Sequence, residues 1–409
     1  MTHRDEEAGA GTRSHPLLGG VILLYFVIAL EVLIMISPFA AFFYAVFDPV
    51  LLFLARSSAT RWLAAFFLPH MVLPPGLFLK AIRVAGSVLF VAGTIVFLAC
   101  AGQVYAHKLF RRGPASGGLY RWIRHPQYLA LALAGLGLAI LWPRFLTIVL
   151  WTVMVGLYAL LARDEERRMV KQFGAAYADY RAGTGMFLPR GPETLGRRFF
   201  PSSRVLGPTL GFATLVVAAV GGAFALRTYT VARLPLWSSG RITALAILPG
   251  DTAMLEHRME EVLELPDVKA RLAETTGPAL VYVVPRQYVM QGMIADTGPE
   301  WRLYEHHQTL AMISDWIFHP FRHLQGEHAM HHAGGAPTAG TPADGAIRRL
   351  IFLGVETSRE EATSASLFAI NAARTPRFFA DVDVHDLVLL GTRDLRPGTG
   401  WGDVPTPLF

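Results

Sequence analysis

Two short groups of polar residues lie next to apolar segments, and their residue types could support binding or catalysis. The first reads Gly-Leu-Tyr-Arg-Trp-Ile-Arg-His-Pro-Gln-Tyr over residues 118–128. Pro126 lacks an amide proton and restricts the residue before it, so His125 is predicted to lie at a bend outside a regular helix. Taken alone, this basic and aromatic group also fits an interfacial anchor whose Tyr and Trp side chains lie among lipid headgroups.

The second group follows an apolar segment that is predicted to be helical. Asp164, Glu165 and Glu166 come directly after it, and the sequence Phe-Gly-Ala-Ala-Tyr-Ala-Asp-Tyr occupies residues 173–180. A carboxylate so close to a bilayer is costly unless it has a cationic partner or lines a wet cavity. The alternative is a solvated helix end whose surface ion pairs contribute at most about 1 kcal/mol each.

The composition favours a membrane protein. The chain has 409 residues, of which 53% are hydrophobic and 17% charged, and its mean hydropathy is +0.38. A soluble domain usually has about 25% charged residues. Cys100 is the single cysteine, so no disulfide framework exists within the chain. The net charge of +6 is attributed to arginine-rich cytoplasmic loops, because the sequence contains no nucleic-acid-binding module.

The fold class predicted is an α-helical integral membrane core with a C-terminal α+β extramembrane domain. Apolar runs of about 20 residues predict membrane helices, and five to six are expected when a short hairpin is included. The runs are residues 17–36, 39–54, 84–101, the hairpin of 129–142 and 145–162, and 207–226. The predicted units are N-terminal membrane helices over 1–76, a membrane core with a cytoplasmic tail over 77–206, an additional membrane helix over 207–226, and the α+β domain over 235–409.

In the α+β domain, short runs rich in β-branched residues predict strands and helical spacing predicts helices. Strands are expected at 244–248, 279–284, 349–355 and 376–392, and helices at 252–274, 300–318 and 359–372. Basic residues cluster on both sides of the hairpin, which places its open end in the cytoplasm. One further crossing then puts the α+β domain outside, and a bacterial inner membrane is the expected location.

The two polar groups form one ordered pattern. It runs from Arg-His-Pro-x-Tyr through a short hairpin to Glu-Glu, and then, after six residues, to Phe-Gly-x-x-Tyr-x-x-Tyr and a proline at Pro189. Over roughly residues 80–190 this pattern resembles the membrane methyltransferase family that includes isoprenylcysteine carboxyl methyltransferases. Phospholipid methyltransferases and bacterial methanethiol methyltransferases are similar relatives.

The resemblance implies an S-adenosylmethionine site at the cytoplasmic membrane edge, with no metal required. It implies a catalytic set and a cofactor-binding set: Glu165, Glu166 and Arg124 for catalysis, and His125, Pro126, Tyr128, Tyr120 and Glu166 for the cofactor. The partners expected are the lipid bilayer and a small or lipophilic acceptor: an isoprenoid-like carboxylate, a lipid amine or a thiol. No nucleic-acid partner is expected, and the oligomeric state is undetermined.

One position departs from the family. Met186 stands where members usually have an arginine, three residues before the terminal proline, and Arg181 or Arg190 could replace that arginine. The departure leaves a second hypothesis open, in which a degenerate core is a membrane scaffold and the α+β domain acts as a sensor or assembly partner.

Histidines are concentrated in the α+β domain. Seven of the 14 lie between residues 306 and 332: His306, His307, His319, His323, His328, His331 and His332. Imidazole and carboxylate suit zinc, nickel or copper, but Pro320 interrupts helical spacing and the stretch 326–345 is of low complexity. An exposed loop is the preferred interpretation.

Overall fold

The architecture comes from a computed structural model of the full chain. The structure describes residues 37–69, 76–110, 113–197, 203, 205–286, 289–291, 305–307, 346–356 and 363–395. The predicted helix at 17–36 and the low-complexity stretch at 326–345 lie outside these residues.

The described chain begins with three short helices. They are α1 (Pro38–Val46), α2 (Asp48–Ala55) and α3 (Arg61–Ala64). The apolar run at 39–54 is therefore bent, as its internal Asp48-Pro49 suggested. Phe47 has extended backbone angles (φ −86°, ψ 106°), and a proline follows at the second position of α2. Phe47 is the cap of α2, a position that typically has extended angles, and proline fits the first turn because its missing amide proton would have no partner there.

The membrane core consists of longer helices. They are α4 (Leu77–Leu109), α5 (Pro126–Leu141), α6 (Phe145–Gly183), α7 (Arg190–Arg197) and α8 (Leu206–Val231). In the part of the chain that is described, α4, α6 and α8 are long and apolar enough to cross a membrane, and α5 is a shorter apolar helix. Among the described residues these helices do not show the five to six spans expected, one of which, at 17–36, lies outside those residues. They do establish a helical, apolar core with the predicted hairpin, whose turn is Trp142-Pro143-Arg144.

Helices α4 and α5 approach closely through glycines. A Cβ atom built on Gly93 would lie 2.7 Å from both the Ala130 carbonyl oxygen and the Ala134 amide nitrogen. Small residues allow such contacts between membrane helices, where packing rather than hydrophobic burial drives association. This contact holds α4 against the hairpin.

The C-terminal region forms a mixed sheet with helices on one face. Its strands are β1 (Leu236–Ser239), β2 (Ile242–Ala246), β3 (Ala279–Pro285), β6 (Ile347–Glu356), β7 (Ala373–Asp383) and β8 (Val388–Asp394), and the spatial order is β1-β2-β3-β6-β7-β8. Strands β2 and β3 are parallel and are joined by α9 (Thr252–Leu263) and α10 (Pro266–Ala273), whereas the other neighbours are antiparallel. Strands β4 (Val289–Gln291) and β5 (Glu305–His307) form a separate parallel pair, and α11 is Ser364–Leu367.

Several predicted elements of this region are corrected. The helix expected over 252–274 divides at Pro266, which begins α10, and the strand expected over 376–392 divides at a turn before Val388. Residues 305–307 are a strand and not part of a helix. In the described part of 359–372, the helix is limited to the four residues of α11.

The second face of the sheet packs against the closed end of the membrane hairpin. Leu245, Leu280 and Ile351 of the sheet share one buried apolar cluster with Phe66 and Trp142. The other face is covered by α9 and α10 in a separate cluster. The sheet domain therefore lies at the hairpin turn, at the opposite end of α5 and α6 from His125 and Glu166.

A candidate cofactor site at the open end of the hairpin

His125 lies at the bend predicted from the sequence. Its backbone angles (φ −126°, ψ 59°) are not helical, and Pro126 is the first residue of α5. The amide of His125 donates a hydrogen bond to the Met186 carbonyl, 3.1 Å away. Local proline sterics thus set the bend, and a distant segment holds it.

That distant segment is reached through a kink in α6. Gly174 has φ 57° and ψ −130°, a conformation that residues with a Cβ atom rarely adopt. After α6 ends, Gly185 pairs in parallel with Ile123, and its carbonyl accepts from the Arg124 amide at 2.9 Å. The Phe-Gly sequence of the motif therefore lets the chain return to the first polar group.

Arg124 and Glu166 form a buried ion pair. Arg124 Nε lies 2.6 Å from Glu166 Oε1, and the two residues are 8% and 7% exposed. Arg124 Nη1 also donates to the Arg181 carbonyl at 3.0 Å and to the Thr184 carbonyl. Glu166 thus has the cationic partner that a carboxylate near a membrane requires. The interpretation of Glu166 as a solvated surface residue is wrong.

His125 lies between the two glutamates. Its Nε2 is 3.4 Å from Glu166 Oε1, and its Nδ1 is 3.5 Å from Glu165 Oε2. His125 is 2% exposed, yet neither ring nitrogen makes a hydrogen bond within the described structure. The Glu165 side chain is 39% exposed. Each imidazole nitrogen therefore faces a carboxylate oxygen at a distance longer than an ordinary hydrogen bond, which leaves it able to bond a ligand instead.

Three aromatic rings stack in a row from this point towards the interior of the hairpin. The Tyr128 ring stacks on His125 with centroids 5.6 Å apart, and on Tyr158 with centroids 5.2 Å apart. The Tyr128 hydroxyl lies 3.5 Å from Glu165 Oε2. Tyr158 is absent from the sequence-predicted set. The spacing on α6 could have indicated it, because Tyr158 and Ala162 lie on the same helix face as Glu166, at intervals of four residues. All three residues are buried.

Tyr120 supports the loop before His125. Its hydroxyl donates to Gln127 Oε1 at 2.9 Å, and its carbonyl accepts from the Tyr180 hydroxyl at 2.6 Å. Burial raises the pKa of the Tyr120 hydroxyl well above its ordinary range, so it remains a protonated donor. Direct cofactor contact by Tyr120 stays a prediction. Gln127 was not singled out in the sequence, because an isolated amide gives no pattern.

Met186 contributes through its backbone. Its carbonyl accepts from His125, and its amide donates to Glu193 Oε2. The side chains of Arg181 and Arg190 are exposed.

Within the described ranges, no group of three or more His, Cys, Asp or Glu side chains could hold a metal ion. Of the seven C-terminal histidines, His306 and His307 lie in β5 and the others fall outside these ranges.

The comparison with known families agrees with this geometry. Residues 77–176 match the phospholipid methyltransferase family model, from the start of α4 to the last third of α6. The match contains His125 and both glutamates, and it excludes Met186, α8 and the sheet. The chain matches no curated protein and no solved structure. The resemblance seen in the sequence is confirmed to this extent: residues 77–176, which include most of the hairpin that carries the site, are similar to the phospholipid methyltransferase family.

Proposed function

We propose that this protein is an integral-membrane methyltransferase that uses S-adenosylmethionine to methylate a small or lipophilic acceptor. The observation that carries the proposal is the buried cluster of Arg124, His125 and Glu166 at the open end of a family-matched hairpin. S-adenosylmethionine bound there supplies an electrophilic methyl group on a sulfonium.

The residues present suit such a ligand. The ring nitrogens of His125, which lie 3.4 and 3.5 Å from glutamate oxygens, can bond a hydroxyl or carboxylate. Glu165, part exposed and without an arginine partner among its described contacts, can accept from an ammonium or ribose hydroxyl and balance positive charge. The Tyr128 ring is stacked on both faces, so its hydroxyl is the group that can bond a polar atom of the ligand. Arg124 neutralises Glu166 and fixes it in place.

The chain's own task in such a reaction is positioning. Methyl transfer proceeds by in-line displacement, so aligning donor and acceptor accounts for much of the acceleration. The buried ion pair holds the loop before α5 against the middle of α6, and the Thr184–Met186 segment bonds the backbone of Arg124 and His125. Leu133, Leu157 and Leu160 are exposed on the hairpin. This apolar surface gives a lipid-dissolved acceptor a route to the site.

The acceptor is proposed from three classes: an isoprenoid-like carboxylate, a lipid amine or a thiol. The site lies on the cytoplasmic side of a bacterial inner membrane, and the sheet domain lies outside. This orientation follows from the basic residues around the open end of the hairpin.

Cofactor binding to the detergent-purified protein tests the proposal. Calorimetric titration with S-adenosylmethionine should show saturable binding to the unmodified protein. His125→Ala and Glu166→Ala should each weaken binding by more than about tenfold, a loss above 1.4 kcal/mol. Asp164→Asn and His257→Ala change an exposed carboxylate and an exposed histidine, and should bind like the unmodified protein.

Thermal unfolding of each variant shows whether it is folded at the titration temperature. An unmodified protein that does not bind the cofactor would sink the proposal. Wild-type affinity in both site variants would reject the site assignment. Absence of binding by the unmodified protein would favour the scaffold hypothesis. That hypothesis is supported by Met186, which stands where the resemblance implies an arginine.

A further inference from the structure

We propose that Tyr158 is a positioning residue for the cofactor site, fixing the plane of the Tyr128 ring and, through it, that of His125. The inference rests on the proposed function in one respect: the site that Tyr158 shapes is taken to bind S-adenosylmethionine. Tyr158 itself lies deeper in the hairpin than Glu166, since the eight residue steps from one to the other rise about 12 Å along the helix.

The stacking geometry is the first step. The interplanar angle is 21° between Tyr158 and Tyr128 and 23° between Tyr128 and His125. Each ring is therefore tilted only slightly from its neighbour, and Tyr158 is the inner end of the row. Tyr158 is 4% exposed, so its side chain is surrounded by other protein atoms and has little contact with lipid or water.

The second step is the state of the His125 imidazole. Its nitrogens lie 3.4 and 3.5 Å from two carboxylates, farther than the ~2.7–3.2 Å of an ordinary hydrogen bond. A free imidazole would rotate to bond one of them, because a buried unpaired nitrogen is costly. The stack on Tyr128 opposes that rotation and keeps both nitrogens available.

The third step concerns Tyr128. Its ring separates His125 from Tyr158, and its hydroxyl is 3.5 Å from Glu165. Without the ring of Tyr158, Tyr128 could move into the space left in the hairpin. That movement would release both His125 and the hydroxyl contact to Glu165. Supporting residues of this kind often govern the affinity of a site that they do not touch.

Two substitutions separate ring stacking from general packing. Tyr158→Phe keeps the ring, and Tyr158→Leu removes it. Met154→Ala is the matched control, because Met154 is also 4% exposed and lies one turn earlier on α6. Tyr158→Phe and Met154→Ala should bind S-adenosylmethionine within about twofold of the unmodified protein, and Tyr158→Leu should bind about tenfold or more weakly. Thermal midpoints show how much each variant is destabilised.

A second readout needs no cofactor. In protein labelled at histidine, the imidazole resonance of His125 is assigned by its loss in His125→Asn. Stacking on Tyr128 should shift this resonance through the ring current. The shift should persist in Tyr158→Phe and Met154→Ala and disappear in Tyr158→Leu.

The outcomes distinguish this inference from the proposed function. Loss of both the resonance shift and affinity in Tyr158→Leu alone supports the positioning role. If the unmodified protein binds no cofactor but the shift still depends on the Tyr158 ring, the proposed function fails and the positioning of His125 stands. An unchanged shift in Tyr158→Leu overturns the inference, as does wild-type affinity in that variant, or an equal loss of affinity in Met154→Ala.

Discussion

Arg124 Nε lies 2.6 Å from Glu166 Oε1, although the two residues are 42 positions apart in the chain. The contact joins the residue before the His-Pro bend to the glutamate pair on α6, and so closes the open end of the hairpin. The contact also gives the two neighbouring glutamates different environments. Glu166 is buried and neutralised, whereas Glu165 is part exposed and near His125 and Tyr128.

Removing either member of this pair alone should lower the free energy of unfolding strongly. Removing both should cost less than the sum of the two single changes. Arg124→Ala or Glu166→Ala leaves a buried charge without its partner, which costs about 3–5 kcal/mol in the free energy of unfolding. The double variant should lose less than the sum of the two, by at least about 1 kcal/mol. Denaturant unfolding in detergent micelles measures all four free energies.

The exposed pair on the same helix provides the control. Arg168 Nη2 is 3.0 Å from Asp164 Oδ2, with side chains 69% and 57% exposed. Solvent screening limits the coupling of such a pair to less than about 1 kcal/mol. Equal coupling in both pairs would contradict the structural importance assigned to Arg124 and Glu166.

Alanine at Gly93 should weaken the contact between α4 and α5. Its Cβ would lie 2.7 Å from backbone atoms of Ala130 and Ala134, so the helices must separate. Overpacking of this kind costs about 1–3 kcal/mol. Gly102→Ala on the same helix has no atom within 4 Å of the new Cβ, and should be neutral or stabilising by up to about 1 kcal/mol. Thermal midpoints compare the two variants, and an equal response would refute the close approach at Gly93.

Arg227 should be needed for docking of the sheet domain. Its guanidinium donates to the Phe66 carbonyl near the hairpin turn and, at 2.6 Å, to the Phe368 carbonyl of the sheet domain. Hydrogen bonds to charged groups contribute about 1.5–3 kcal/mol. Arg227→Met should therefore lower the thermal midpoint and speed limited proteolysis of the sheet domain. Cofactor affinity should be retained.

Arg233→Met is the matched change for that experiment. Arg233 is exposed and its guanidinium lies over the Tyr229 ring, 3.8 Å from the centroid. It should alter proteolysis little. If the sheet domain of Arg227→Met resists proteolysis as well as that of the unmodified protein, Arg227 does not hold the sheet domain to the helical core.

The two ends of the hairpin should face opposite sides of the membrane. Ser116 is exposed near the site, and Ser239 is exposed at the end of β1 in the sheet domain. In intact cells an impermeant maleimide should label Ser239→Cys directly and Ser116→Cys only after lysis. Cys100 is buried and can be replaced by alanine to remove background labelling. Labelling of Ser116→Cys alone from outside would reverse the proposed orientation. Labelling of both positions from outside would show that the two ends of the hairpin do not face opposite sides.

An arginine at position 186, which the resemblance implies, should not improve the proposed methyltransferase activity. Met186 uses both backbone groups, to His125 and to Glu193, so Met186→Arg should keep the fold while adding a charge beside the site. Labelled-methyl transfer to thiols, lipid amines and carboxylates should be unchanged or lower, because an added cation in an apolar path costs several kcal/mol. Carboxylate methylation that appears only in Met186→Arg would instead indicate a decayed carboxylate enzyme.

Several features followed from the sequence because their causes are local. Pro126 forces the bend at His125 whatever surrounds it, and the apolar runs specify the helices of the hairpin. The ordered pattern that begins at Arg124 was sufficient to predict the resemblance that the family model confirms over residues 77–176, since it joins residue types and spacings that act together. The break at Pro266 was equally local and was overlooked in favour of helical spacing.

Other features were decided by contacts between distant residues. Many arginines flank the hairpin, and nothing local distinguishes Arg124 from the others as the partner of Glu166. The stacking of Tyr158 on Tyr128 depends on how α5 and α6 face each other. The docking of the sheet on Phe66 and Trp142 depends on the whole chain path. Periodicity and proline sterics act within a few residues, whereas burial and pairing are set by which helix faces meet, and only the tertiary structure fixes those.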